Sequence, residues 1–249
     1  MKLTDRIVLI TGSTKGIGKA IALLFAKEGA DVIINARKPG PDARKTLGEL
    51  SKSTKGNHSF VAADVKNPGE IFKMMKEVEK RYKKLHVLVN NAGKTRFIEH
   101  KNLKGLTPDI FDEIYSTHLR GAFLCTQKAV DLLKKSKDAL VVNIASVAAE
   151  SAVGSNIAYC AAKAGLINMT KSLARALAPG IRVNAVSPGL TETGLITGWG
   201  AYKKEQLSRT PLGRLANTED VARAVLALAT EMNYVTGQNL TVDGGRTLE

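Results

Sequence analysis

Seven short apolar runs punctuate the chain, at Ile7–Thr11, Val32–Asn35, Ser59–Ala63, Leu85–Asn90, Leu140–Ala145, Arg182–Val186 and Asn239–Val242. They are rich in Val and Ile and mostly continuous in hydrophobicity, the pattern of strands covered on both faces. Between them the period changes. Ile17–Glu28 places Ile17, Ala20, Ile21, Leu24 and Phe25 on one helical face, and Ile71–Tyr82, Ile110–Leu133, Asn156–Ala178 and Thr218–Thr230 behave likewise. Gly29, directly after the first of these, is a helix stop. Repeated strand–helix alternation predicts an α/β fold, a doubly wound parallel sheet of about seven strands with helices on both faces. No repeat, low-complexity tract or linker divides residues 1–249, so a single domain is expected. The least regular stretch, Gly189–Gly213, carries four glycines before Pro211-Leu212-Gly213. At the carboxyl edge of a parallel sheet it reads as a mobile lid.

Composition narrows the class without naming a chemistry. Apolar residues make up 44% and charged residues 24%, ordinary values for a water-soluble globular chain. No apolar run approaches the roughly 20 residues that cross a bilayer. Lys2 and Arg6 precede only the short run Ile7–Ile10, too brief for a secretory leader, so a cytoplasmic protein is expected. Cys125 and Cys160 sit in no metal-binding or redox spacing and read as reduced, buried side chains; no metal site is expected. The net charge of +14 is scattered over Lys73/Lys76, Lys80/Arg81, Lys83/Lys84, Lys134/Lys135/Lys137 and Lys203/Lys204. Solvated helix faces account for it, and so does attraction for anionic cofactors or acidic partners. Nucleic acid fits less well, because aromatics are 5% and none interleave with the basic runs as a stacking platform needs.

The first strand runs into Thr11-Gly12-Ser13-Thr14-Lys15-Gly16-Ile17-Gly18, and a helix follows at once. Glycine permits backbone conformations closed to other residues and lets a phosphate approach the main chain. The helix start adds free N–H groups and the positive end of a dipole. Placed at the first βα crossover, this turn points to a dinucleotide. The second strand ends in Ala36-Arg37-Lys38, without the acid that would bind a ribose 2′-hydroxyl. A guanidinium there suits a 2′-phosphate, with Lys15 as a second cation; the plainer reading is a pair of surface charges.

Tyr159 and Lys163, four residues apart in a helical pattern, share a face. A phenol titrates near 10 on its own, and a neighbouring ammonium pulls it down toward working pH. Alone the pair is an ordinary helical contact. It gains meaning from Ser146, thirteen residues upstream at a strand end.

Thr-Gly-x-x-x-Gly-Ile-Gly, Asn90-Asn91-Ala92-Gly93, Ser146, Tyr159-x-x-x-Lys163 and Pro188-Gly189, in that order, resemble the short-chain dehydrogenase/reductase family along the whole chain. The resemblance implies a Rossmann-type fold and a nicotinamide cofactor, NADP(H) preferred with NAD(H) the alternative. It implies cofactor contacts at Gly12, Ser13, Thr14, Lys15, Gly16, Ile17, Gly18, Arg37, Asp64, Val65, Asn90, Ala92, Gly93, Tyr159, Lys163, Pro188, Gly189 and a following threonine. Thr191 and Thr193 both qualify for that last contact, spacing favouring Thr191. Tyr159 would be the proton donor, Ser146 would hold the carbonyl oxygen, and Lys163 would bind ribose and tune the phenol. His118, in Ser116-Thr117-His118-Leu119-Arg120-Gly121, stands where most relatives carry an asparagine that holds a water. It fits a pH-dependent proton relay or a buried structural histidine equally. His58, His86 and His100 lie near no motif.

The pocket is expected to be walled by Thr95–Ile98, by the segment after Ser146 and by the lid. Ser172-Leu173-Ala174-Arg175 and the tail from Pro211 to Gly245 resemble 3-oxoacyl-(acyl-carrier-protein) reductases, which implies a 3-oxoacyl thioester on acyl carrier protein or CoA. A basic surface near Lys134, Lys135 and Arg175 would attract an acidic carrier. A sugar, steroid or other secondary-alcohol dehydrogenase remains open, as does a cofactor-sensing protein without turnover, though sensors often lose the tyrosine. The resemblance implies a homotetramer assembled through two long helices, here Ile110–Leu133 and Asn156–Ala178, and through the C-terminal strand.

Overall fold

The computed structural model describes residues 3–193 and 200–248. Seven strands, β1 (Ile7–Ile10), β2 (Asp31–Ala36), β3 (Ser59–Ala62), β4 (Val87–Asn90), β5 (Ala139–Ile144), β6 (Ile181–Pro188) and β7 (Asn239–Val242), form one parallel sheet in the order β3-β2-β1-β4-β5-β6-β7. The chain winds outward from β1 to β3, then returns to start again beside β1 with β4. The crossovers that leave β1 and β4 diverge, and a crevice opens where they part.

Alternation along each strand divides the core. In β1, Val8 and Ile10 face one side and Ile7 and Leu9 the other. The first side is covered by α1 (Gly16–Lys27), through Ile21 and Phe25, and by α9 (Thr218–Thr230), through Val221, Val225 and Leu228. The second is covered by α3 (Pro68–Tyr82), through Ile71, Met74 and Val78, and by α5 (Gly121–Lys134), through Cys125, Ala129 and Leu132. Large apolar side chains on both faces are what make β1, β2 and β4 continuous hydrophobic runs. β7 departs from the expectation. All four of its residues are half-buried, because it closes the sheet as an edge.

Three elements differ from the reading of the sequence. α2 (Pro41–Ser53) has so few apolar positions that periodicity does not announce it, yet Pro41 at its start and a buried Ala43 and Leu50 secure it. The single helix expected over Ile110–Leu133 is α4 (Pro108–Tyr115) and α5 joined by a wide π turn at Ser116–Arg120. Gly121 marks the reason: a Cβ there would lie 2.8 Å from the Val65 carbonyl, so the helix is pressed onto the loop after β3. In the expected lid, Thr191 bridges to Ala216 and α8 (Gly200–Ser208) forms; residues 194–199 of that lid lie outside the described residues. The two remaining helices are α6 (Ala148–Ser151) and α7 (Ile157–Leu177). Among the described residues no helix is long and apolar enough to cross a membrane.

Candidate active site

A cleft of about 710 Å³ lies at the carboxyl ends of the strands. Its floor is the turn between β1 and α1. Gly12 and Gly16 adopt φ of +62° and +53°, which side chains resist. A Cβ on Gly12 would stand 2.7 Å from Ala92 Cα, and one on Gly18 would stand 2.4 Å from Asn91 Nδ2. That closeness is used: Asn91 Nδ2 donates to the Thr11 and Gly12 carbonyls at 2.9 and 3.0 Å. Asn35 ties the turn to the sheet, its Oδ1 accepting from Gly12 N at 3.2 Å and its Nδ2 donating to Val61 and Ala63. α1 starts with no side-chain cap and no acid in its first turn, leaving N–H groups to meet an anion.

Gly12, Thr14, Lys15, Gly16, Ile17, Gly18, Arg37, Asp64 and Val65 line one end of the cleft. Asp64 is the one acid among the described lining residues. Lys15 is paired with Asp42 at 2.8 Å on the exposed rim. Ser13 turns away: it is buried, and its hydroxyl donates to the Ile10 carbonyl and accepts from Asn35 N.

The other end gathers Ser146, Tyr159, Lys163, His118, Gly93, Pro188, Gly189 and Thr191, while Ala92 and Thr193 line the cleft against the glycine turn, beside Gly12 and Gly16. Ser146 follows β5, and its hydroxyl meets the Tyr159 phenol. Tyr159 sits in the first turn of α7, where Asn156 caps the helix by accepting from Tyr159 N at 2.8 Å. The Asn156 amide also donates to Thr95 Oγ1 at 3.2 Å and to the Arg96 carbonyl at 2.8 Å, so one side chain registers the helix against the pocket wall. Lys163, one turn on, is 5% exposed and donates to the Ile144 carbonyl.

The electrostatics correct one expectation. Burial pushes the Tyr159 phenol up to about 12, with the Ser146 hydrogen bond acting only partly against it. Lys163 Nζ bonds the Ile144 carbonyl and lies 5.7 Å from the phenol ring centre, and it is neutral in the range where so raised a phenol ionises. Lys163 itself is lowered to about 7 by the same burial.

His118 occupies the π turn, edge-on to the Tyr159 ring with centroids 5.2 Å apart. Nε2 lies 2.7 Å from the Lys94 carbonyl; a carbonyl only accepts, so Nε2 carries the proton and Nδ1 is an acceptor. Burial, with Lys163 beside it, holds the imidazole down to about 3. It is therefore neutral throughout the physiological range, and the expected pH dependence near neutrality is not its property. Asn90 lies beneath the cleft instead of lining it, donating to Thr126 Oγ1 at 3.0 Å and Asn143 Oδ1 at 2.9 Å. Among the described residues Asn90 Oδ1 and His118 Nδ1 have no hydrogen-bond partner, and both residues border a small cavity with Lys163.

Asn35 and Arg246 line the cleft without belonging to any sequence motif, and Tyr202 and Gln206 line it from within the expected lid. Tyr202 and Gln206 belong to α8, inside the stretch read as irregular. Their spacing of four is the signal available in the sequence, and in the structure Tyr202 stands edge-to-face on Phe97 with ring centres 5.8 Å apart.

A strand–turn–helix floor with a serine, a phenol and a buried lysine at its inner end is a site for oxidoreduction of carbonyls and alcohols, and known proteins place the chain accordingly. Residues 12–247 match the family model described as enoyl-(acyl carrier protein) reductase. The chain is 39% identical to the 3-oxoacyl-(acyl-carrier-protein) reductase FabG of Thermotoga maritima, over 98% of this chain and 99% of that one. It is 37% identical to FabG of Staphylococcus aureus over 98% and 99%. The crystal structure of 3-ketoacyl-(acyl-carrier-protein) reductase from Brucella melitensis, complexed with NADH, superposes with a TM-score of 0.90 at 32% identity, covering 98% of this chain and 99% of that one. The chain belongs to the short-chain dehydrogenase/reductase family and is an oxidoreductase with the doubly wound fold of that family.

Proposed function

We propose that the protein reduces the 3-oxo group of acyl thioesters, using NADPH as reductant and Tyr159 as proton donor. The observation that carries this reading is the hydroxyl pair Ser146–Tyr159 at the inner end of the cleft, above a buried Lys163. The likeness to 3-oxoacyl-(acyl-carrier-protein) reductases along the whole chain supports the substrate class.

The cleft suits a dinucleotide. The uncapped start of α1 and the glycine turn would hold its phosphates, Asp64 and Val65 its adenine end, and Pro188, Gly189 and Thr191 its reactive end. Ala36 and Arg37 at the end of β2 offer a cation and no acid, which supports NADPH over NADH. When bound, the cofactor supplies hydride to the carbonyl carbon. The chain supplies the rest. Tyr159, protonated at neutral pH because burial keeps its phenol near about 12, gives its proton to the carbonyl oxygen as charge develops there. Ser146 donates to the same oxygen and fixes it. Lys163, lowered to about 7, is able to carry a proton or release it near neutrality and so restores the phenol.

A homotetramer is the expected assembly. Phe111, Tyr115 and Phe123 stay exposed along α4 and α5 and would be covered in it, which light scattering on the eluting protein tests.

The deciding experiment follows NADPH and NADH oxidation with acetoacetyl thioesters, ketosteroids and simple ketones. Acetoacetyl thioesters with NADPH should react fastest, and Tyr159→Phe should cost on the order of 100-fold or more in kcat. Full activity in Tyr159→Phe removes the proton donor, and a severalfold preference for NADH removes the role of Arg37.

A further inference from the structure

The cleft holds a cation that hydride transfer to a ketone does not use. Arg246 follows the turn after β7 and lines the cleft with Tyr159, Tyr202 and Gln206. Packed backbone fixes where it stands. The Asp243 carboxylate accepts from Gly245 N at 3.0 Å, Thr247 N at 2.8 Å and Thr247 Oγ1 at 2.7 Å, so it is committed to the turn. On one side Gly189 N donates to the Val242 carbonyl at 2.9 Å, and a Cβ on Gly189 would lie 3.0 Å from Asp243 Cα. On the other, a Cβ on Gly244 would come within 2.8 Å of Thr210 Cγ2 and one on Gly245 within 3.0 Å of Pro211 Cγ. The turn is wedged between the loop after β6 and the segment after α8.

Arg246 is half-buried, and among the described residues its Nε alone has a partner, Gln206 Oε1 at 3.1 Å. Its two terminal nitrogens make no hydrogen bond or ion pair among the described residues. Gln206 is 6% exposed, and its Nε2 has no partner among the described residues either. A buried amide donor left unmet costs stability, and an arrangement that keeps one beside an unsatisfied guanidinium has donors in excess. Asp64, the one acid among the described lining residues, belongs to the other end, after β3 at the opposite edge of the sheet from β7. A planar fork facing a cleft, with the Asp243 carboxylate committed to backbone and no acid among the described lining residues at this end, is built to take an oxyanion.

We propose that Arg246, oriented by Gln206, is a specificity-determining residue that binds an anionic oxygen group carried by the substrate away from its reacting carbonyl. The inference rests on the reductase function proposed above and names the chemistry its substrate adds. Two sources carry that chemistry: the carboxylate of a free oxo acid and the phosphate of a phosphopantetheine arm. The side chain of Gln206 acts through Arg246 and is a positioning residue.

Three substrates that share one ketone separate the cases: acetoacetate, S-acetoacetyl-4′-phosphopantetheine and the uncharged S-acetoacetyl-N-acetylcysteamine. Arg246→Met should lower kcat/KM by roughly 10- to 100-fold on an anionic substrate, mainly through KM, and leave the uncharged thioester within about twofold. Arg246→Lys should recover part of the loss, since it keeps the charge without the fork. Whichever anion suffers identifies the source. Equal losses on all three substrates, or none on either anion, overturn the proposal. If the wild-type protein reduces none of the three, the reductase reading fails by itself. The thermal shift produced by acetoacetate or by 4′-phosphopantetheine on the cofactor-free protein then decides Arg246. A shift abolished in Arg246→Met upholds the assignment, and no shift with either ligand sinks it.

Discussion

His118 gives a stability prediction with a definite sign. Its imidazole is buried, donates through Nε2 to Lys94 and is held down to about 3 from an ordinary 6.5, first by burial and then by the charge of Lys163. The native chain therefore keeps it neutral while the unfolded chain takes up a proton as pH falls below 6.5. Stability contributed by the neutral, buried ring is complete above 6.5 and drains away as pH falls toward about 3. Each pH unit in that window costs about 1.4 kcal/mol, so moving from about pH 7 to about pH 5 should remove roughly 2 kcal/mol. The comparison protein is His118→Gln, whose amide still donates to a carbonyl but does not titrate. Urea unfolding of both proteins at the two pH values yields the difference of differences. His86, lowered to about 4, and His58, also lowered, are common to both proteins and cancel. His118→Gln should gain roughly 2 kcal/mol on the wild type on acidification. Parallel losses in the two proteins would falsify a neutral, buried His118.

Three further substitutions probe the floor and the frame of the cleft. Arg37→Asp should invert the cofactor preference, lowering kcat/KM for NADPH by roughly 10- to 100-fold and not that for NADH; steady-state kinetics with both cofactors reads this directly. Gly18→Ala must move backbone or Asn91, since its Cβ would stand 2.4 Å from Asn91 Nδ2 and 2.7 Å from the Gly12 carbonyl. It should cost about 1–3 kcal/mol in chemical denaturation and weaken NADPH binding measured by fluorescence. Asn156→Ala removes a helix cap and two further hydrogen bonds, and should lower stability by about 1–2 kcal/mol while reducing kcat more than it raises KM.

Much of this arrangement is legible in the chain itself. β1, β4 and β5 are visible because both faces of the sheet are buried, which makes all their positions apolar except Asn90 and Asn143, which bond each other. The glycine turn is visible because its constraints are backbone ones: Gly12 and Gly16 at positive φ, Gly18 against Asn91. Elements held by a few contacts are not visible in this way. α2 leans on little more than Ala43, Leu47 and Leu50, and α8 has no marked apolar face. The lid as a whole is expected to wall the pocket, but with α8 unread Tyr202 and Gln206 cannot be singled out within it. The direction of the Tyr159 shift was also out of reach, because it depends on where the Lys163 ammonium points and on how thoroughly the phenol is buried. A spacing of four residues states neither.

Asn156 has a consequence for how the pocket is able to vary. Because one amide grips both the first turn of α7 and the Thr95–Arg96 segment, the wall on that side and the phenol share a single anchor. Fluctuations of the two are then correlated: when the wall shifts, the proton donor shifts with it, and their separation stays nearly constant. Replacement at Phe97, which lies beyond the anchor and packs edge-on against Tyr202 of the cleft, should alter the pocket through Tyr202 without detuning the distance over which the proton travels.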